Sequence, residues 1–209
     1  MYGCARAVGF FPDDRQLVAT VRDGHTGRLL RELSVGPVFA KVAALSADGT
    51  RLALATGDPL GASQEFDLLI FDVRTGRRLA TAHSGDGGHA AVLSLTFSPD
   101  GARLVTTHAR GARVWNVDIG FEEFRVEGHA VLVRAAAFSP DGRRLATAGF
   151  DRSVKLWDLE SGQELLTLKG SAPFHSLTFD AAGTRLLAGC GAQLMSWDAR
   201  PVREPGTRQ

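Results

Sequence analysis

The chain has 209 residues, 44% of them hydrophobic, enough to bury a sizeable core. Lys and Arg number 24 against 23 Asp and Glu, a net charge of +1, so no basic excess points to nucleic acid or to a membrane surface. Two cysteines, Cys4 and Cys190, are too few for a disulfide scaffold, and no apolar run approaches the ~20 residues that cross a bilayer.

The chain reads as short apolar runs closed by turn residues, in units that repeat. Unit one, residues 1–33, holds two strands around a Pro-Asp turn, followed by TGRLLREL as an outer strand; its third strand is missing. Unit two, 34–82, has two strands about Ala47-Asp48-Gly49, a long loop from Asp58 to Phe66, the strand DLLIFDV and the outer strand TGRRLATA. Unit three, 83–126, carries Gly88-His89, the turn Pro99-Asp100-Gly101 and Trp115-Asn116. Unit four, 127–168, is the fullest copy: VRAAAF, RRLATAG, VKLWD and QELLTL, separated by SPDG, FDRS and LESG. Unit five, 169–199, keeps Trp197-Asp198 but has Gly170-Ser171 at its start and no fourth strand. Residues 200–209 lack periodicity and are expected to be a disordered tail.

Spacing ties the units together. The turn glycine recurs at 49, 101, 142 and 183, and the third-strand aromatic at 71, 115, 157 and 197. No run is long enough for an ordinary helix, and a period in the low forties does not fit the shorter helical repeats. The turns have a physical cause: Pro sets the first corner, Asp bonds the local backbone, and Gly accepts a left-handed conformation.

Gly128-His129, with Trp157-Asp158 about thirty residues later, resembles the signature of the WD-repeat β-propeller family, in particular its bacterial-type repeat domains. The resemblance implies an all-β fold, a β-propeller of four-stranded antiparallel blades with about five units here. An incomplete or closed five-membered ring, an open arc, an arc completed by association of copies, and a fragment of a longer array all stay open. The resemblance implies a non-catalytic scaffold for protein contacts. No cofactor is expected, and with no secretory signal or bilayer-length apolar run visible the expected setting is the cytoplasm. It also implies that one blade holds a buried hydrogen-bonded set, which maps onto His129, Thr147, Asp151 and Trp157. Unit three matches it at His89, Thr106 and Trp115, with Ala109-Arg110-Gly111 where the Asp would stand.

Other chemistry is weighed against these residues. A catalytic His129–Asp151 pair needs an accessible nucleophile, and Thr147 lies inside a strand. His83, His89, His108 and His129 offer no pair at zinc-ligand spacing, and the Asp-Gly pairs lack a calcium loop around them. No glycine-rich phosphate loop joins a strand to a helix. The alternative of a hydrolase-type propeller would need carboxylates and His converging on the channel. The residues expected to bind a protein or peptide are exposed ones at one rim: His108, Arg110, Leu132, Phe150, Arg152 and Phe174.

Overall fold

The computed structural model describes residues 8–9, 17–22, 26–36, 39–57, 66–83 and 92–200. Gly24-His25, Gly88-His89, Cys4, most of the 58–66 loop and most of the tail lie outside the described residues.

Five antiparallel sheets follow one another along the chain. The first is three-stranded: β1 (Val8–Gly9), β2 (Leu17–Arg22) and β3 (Leu29–Gly36). The second has β4 (Phe39–Leu45), β5 (Arg51–Gly57), β6 (Asp67–Asp72) and β7 (Arg78–His83). The third has β8 (Ser94–Phe97), β9 (Arg103–Thr107), β10 (Gly111–Asn116) and β11 (Phe121–Glu127). The fourth has β12 (Val133–Phe138), β13 (Arg144–Gly149), β14 (Ser153–Asp158) and β15 (Glu164–Lys169). The fifth is three-stranded again, with β16 (Phe174–Phe179), β17 (Arg185–Cys190) and β18 (Gln193–Asp198). Among the described residues the fold is therefore all-β, built of propeller blades of which three have the expected four strands and two have three. Among the described residues no helix is long and apolar enough to cross a membrane.

In the first sheet β3 pairs directly on β2, which is where the sequence lacks a strand. β3 also runs through Gly36, so Ser34, placed by spacing in the second unit, belongs to the first sheet. The pairings Val18 with Ser34 and Leu17 with Gly36 extend the strand past the apolar run that marked its end. β7, β11 and β15 each run one residue past the expected unit limits.

The turns form as their residues dictate. Gly101 N–H donates to the Ser98 carbonyl at 2.9 Å, with Gly101 at φ +70°. Asp100 accepts from the Ala102 N–H and the Ser98 hydroxyl, while Ser98 Oγ accepts from the Arg103 N–H. Ser46-Asp48 and Ser139-Asp141 repeat this arrangement. In the fifth sheet one carboxylate, Asp180, does the work of both residues, accepting from the N–H groups of Thr184 and Arg185. The Asp of Phe71-Asp72 and that of Trp157-Asp158 each close the next hairpin: Asp72 accepts from Thr75, and Asp158 from Ser161.

β4, β8, β12 and β16 form one edge of their sheets and neighbour one another in series. The sheets therefore pack face to face, and each hides the apolar side of the next. Leu68 and Ile70 meet Leu95, Phe97 and Trp115 between the second and third sheets. Val105 and Val114 meet Phe138, Leu145 and Trp157 between the third and fourth. Ala146 and Val154 meet Phe174, Phe179 and Leu186 between the fourth and fifth. Each such buried Val, Leu, Ile or Phe side chain contributes about 1.5–3 kcal/mol relative to exposure. The third-strand aromatics Phe71, Trp115, Trp157 and Trp197 pair across from Leu52, Leu104, Leu145 and Leu186, so they hold matching places in successive sheets.

Candidate functional site

β13 and β14 present Thr147 and Trp157 toward each other, and the loop before β12 lays His129 over them. Trp157 Nε1–H donates to Thr147 Oγ1 at 2.8 Å, and Thr147 Oγ1 is 2.9 Å from His129 Nε2. The Asp151 carboxylate can only accept, so it takes the Nδ1–H; the neutral ring then accepts at Nε2 from the Thr147 hydroxyl, which itself accepts from the indole. Nδ1 lies 3.0 Å from Asp151 Oδ2. The carboxylate also accepts from the Ala130 N–H at 3.0 Å and the Ser153 hydroxyl at 2.6 Å. The four residues named from the sequence thus form one continuous chain of hydrogen bonds.

Burial holds the His129 imidazole below its ordinary pKa against the opposing pull of Asp151, so the ring is neutral at neutral pH. Burial works against ionisation of Asp151, yet its bonds from Ser153, His129 and the Ala130 N–H outweigh that and hold the carboxyl at about 2. Both ring nitrogens are engaged and the side chain of His129 is 0% exposed, so no proton or lone pair of the imidazole faces solvent. The arrangement fastens a loop to two strands.

Gly149 makes room for this. A Cβ there would stand 2.8 Å from His129 Nδ1 and 3.0 Å from Asp151 Oδ1. The third sheet solves the same problem differently. Trp115 Nε1–H donates to Thr106 Oγ1 at 2.9 Å, as in the fourth, but the imidazole at 2.7 Å from Thr106 belongs to His108. Pairing of Thr106 with Arg113 and of Thr147 with Lys155 places His108 at the position of Gly149. A histidine growing from the strand end fills the space that the glycine leaves for a histidine arriving from the loop. His89, the expected member, lies outside the described residues.

His108 is accordingly a correction: it was expected as an exposed rim contact, and it is buried, its ring stacked on Phe66 at 5.2 Å. Phe174 is a second correction. It opens β16 where Val133 opens β12, a core position, and is 0% exposed, with its ring 6.0 Å from Trp197. Gly170 admits it, since a Cβ there would lie 2.5 Å from the ring.

The other rim residues are exposed: Leu132, Phe150, Arg110 and Arg152. Phe150 N–H donates to the Leu132 carbonyl at 2.9 Å, which brings those two together, and the Phe150 ring meets His175 edge-on at 5.1 Å. Val131, not singled out from the sequence, is 45% exposed beside them. Arg152 ends the turn at φ +61°, and its carbonyl accepts from Gly170 N–H. Arg110 sits apart in the β9–β10 turn, where its carbonyl accepts from His129 N–H.

Sequence reasoning missed two ion pairs behind the tryptophans. Lys155 Nζ lies 2.7 Å from Glu164 Oε2, and Arg113 lies 3.4 Å from Glu122 at the equivalent hairpin position. It also missed arginines that cross between sheets. Arg51 donates to the Gly101 carbonyl and pairs with Asp118, and Arg144 donates to the Ala199 carbonyl while lying over the Phe179 ring. The signal was an Arg opening the second strand of four sheets, at Arg51, Arg103, Arg144 and Arg185. No group of three or more potential metal ligands occurs among the described residues.

Comparison with known proteins gives the following. The family model for the WD domain, G-beta repeat, matches residues 76–116 and 121–158. Each match starts near the outer strand of one sheet and ends on the third strand of the next, so the sequence repeat straddles two sheets. The chain is 33% identical over 112 residues to the transcriptional corepressor LEUNIG_HOMOLOG of Arabidopsis thaliana, covering 51% of this chain and 14% of that protein. It is 34% identical over 120 residues to the small ribosomal subunit protein RACK1y of Oryza sativa subsp. japonica, covering 56% of this chain and 36% of that one. It is 30% identical over 166 residues to the WD repeat-containing protein SL1-17 of Schistosoma mansoni, covering 75% of this chain and 54% of that one. The chain thus spans between about a seventh and about half the length of these proteins.

Proposed function

Because the chain belongs to the WD-repeat family, we propose that it is a non-catalytic interaction scaffold that binds a protein or peptide at the rim carrying Leu132 and Phe150. The carrying observation is the exposed apolar group Val131, Leu132 and Phe150, set directly above the hydrogen-bonded base of the fourth sheet. Apolar anchors on a rigid support lose little entropy when a partner covers them. The name of one similar protein, a small ribosomal subunit protein, places it in a larger assembly, which supports the same reading. A hydrolase would need an accessible acid–base group, and the pair that most resembles one is used up internally. The proposed setting is the cytoplasm, where a buried thiol such as Cys190 stays reduced. The test is affinity capture from a native lysate with the wild-type chain and with Phe150→Asp. A stoichiometric partner lost with the variant supports the reading; no partner, together with turnover in a substrate panel, overturns it.

A second reading, association of copies, is favoured by the outer face of the fifth sheet. Leu194 is 72% exposed, whereas the equivalent Leu68, Ala112 and Val154 are 0–2% exposed beneath the following sheet. Light scattering coupled to size exclusion separates the cases: a monomer at all concentrations removes this reading.

A further inference from the structure

We infer that the partner segment at this rim is an acidic peptide carrying a large apolar side chain, an inference that rests on the rim reading above. The support is a recurrent bulge in the innermost strands. Pairing with the second strand skips one residue between Ala40 and Val42, between Val133 and Ala135, and between Phe174 and Ser176. The skipped residues are Lys41, Arg134 and His175, and all three are exposed. A bulge turns its extra residue out of the ladder. The same device therefore sets a nitrogen-bearing side chain at one level of three sheets, at the end of the strand where the rim begins. In the third sheet Leu93 precedes β8.

The balance of charge at this rim is uneven. Exposed Arg110 and Arg152 add to Lys41 and Arg134. Of the described carboxylates there, Asp151 is enclosed by donors from His129, Ala130 and Ser153 and Asp67 is bonded to His83 at 2.6 Å, leaving Glu127 exposed at the end of an outer strand. The other rim differs: Asp48, Asp100, Asp141, Asp158 and Asp180 all stand in its turns, interspersed with arginines. Among the described residues, cations are thus concentrated around the exposed apolar group of a chain whose net charge is only +1. Carboxylates flanking a Leu or Phe would meet Arg134 and Arg152 while the apolar side chain covers Leu132 and Phe150. Such attraction raises the association rate and is screened by salt.

The test uses the full chain and fluorescein-labelled peptides of equal length. One has Glu and Asp around Leu and Phe, one has Lys in place of the acids, and one has Ser in place of the apolar residues; a single-stranded DNA oligonucleotide serves as a polyanion. Anisotropy is read at about 50 and about 300 mM NaCl. The acidic–apolar peptide is expected to bind best and to weaken about tenfold with either Arg134→Glu or Phe150→Ser. Arg134→Ala, with an unchanged melting curve, guards against misfolding and should weaken binding in the same direction. Tighter binding of the Lys peptide, indifference to both Arg134 variants, absence of peptide binding, or equal binding of the DNA would each overturn the inference. If lysate capture still depends on Phe150 in any of those cases, the rim reading survives alone. If acidic peptide binding persists unchanged in Phe150→Ser, the rim reading fails with it.

Discussion

Asp151 gathers more donors than any other carboxylate of the fourth sheet: the imidazole of His129, the Ala130 N–H, and the hydroxyl and N–H of Ser153. Replacement by Ala strands them, so Asp151→Ala should cost about 1–3 kcal/mol in urea unfolding followed by tryptophan fluorescence. The same site makes stability fall on acidification. The folded state keeps His129 neutral, while the unfolded chain takes up a proton below about 6.5. The unfolded state then binds more protons, so stability drops as pH falls from there, by up to about 1.4 kcal/mol per pH unit. Asp151, held at about 2, adds stability that is complete above about 4 and is lost as pH falls toward that folded value. His129→Gln should therefore flatten the dependence between pH ~6.5 and ~5; an unaltered slope there would count against a buried neutral ring.

Among the elements, the β13 end illustrates how one position decides a whole loop. Gly149→Ala pushes a methyl against His129 and Asp151 and should destabilise by about 1–3 kcal/mol, with Asp151→Ala/Gly149→Ala together costing less than the sum. A double-mutant cycle by thermal melting measures that coupling. Much of the strand plan was readable beforehand. Gly49, Gly101, Gly142 and Gly183 all take φ near +70°, and the spaced aromatics share one register. The same reading failed at His108 and Phe174. A residue at the end of a second strand or the start of a first one is tip or core according to what the neighbouring loop lays over it. That covering comes from residues distant in the chain, and no local pattern encodes it. The hand-over from Ser139 and Asp141 to the single Asp180 was equally hidden, because the chemistry is kept while the residue order changes.

For the whole molecule, stability is a sum over neighbouring sheets more than within any one of them. The joint between the fourth and fifth sheets combines the cluster around Phe174 and Leu186 with the reach of Arg144 to the Ala199 carbonyl. Arg144→Ala should cost about 1 kcal/mol. Amide exchange should speed up in β16–β18 before it does in β8–β11, since only the former lose a fastening; a uniform change across all sheets would argue that the joints do not act separately.

The fourth sheet is also held at opposite ends. Val133 N–H bonds the His108 carbonyl of the third sheet at the rim where β12 begins, and Arg144 grips the fifth sheet at the far end of that strand. Pivoting about either attachment drags on the other, so torsion that a single hinge would permit is blocked. A pull applied at Leu132 or Phe150 is carried across two joints before the strands beneath can swing.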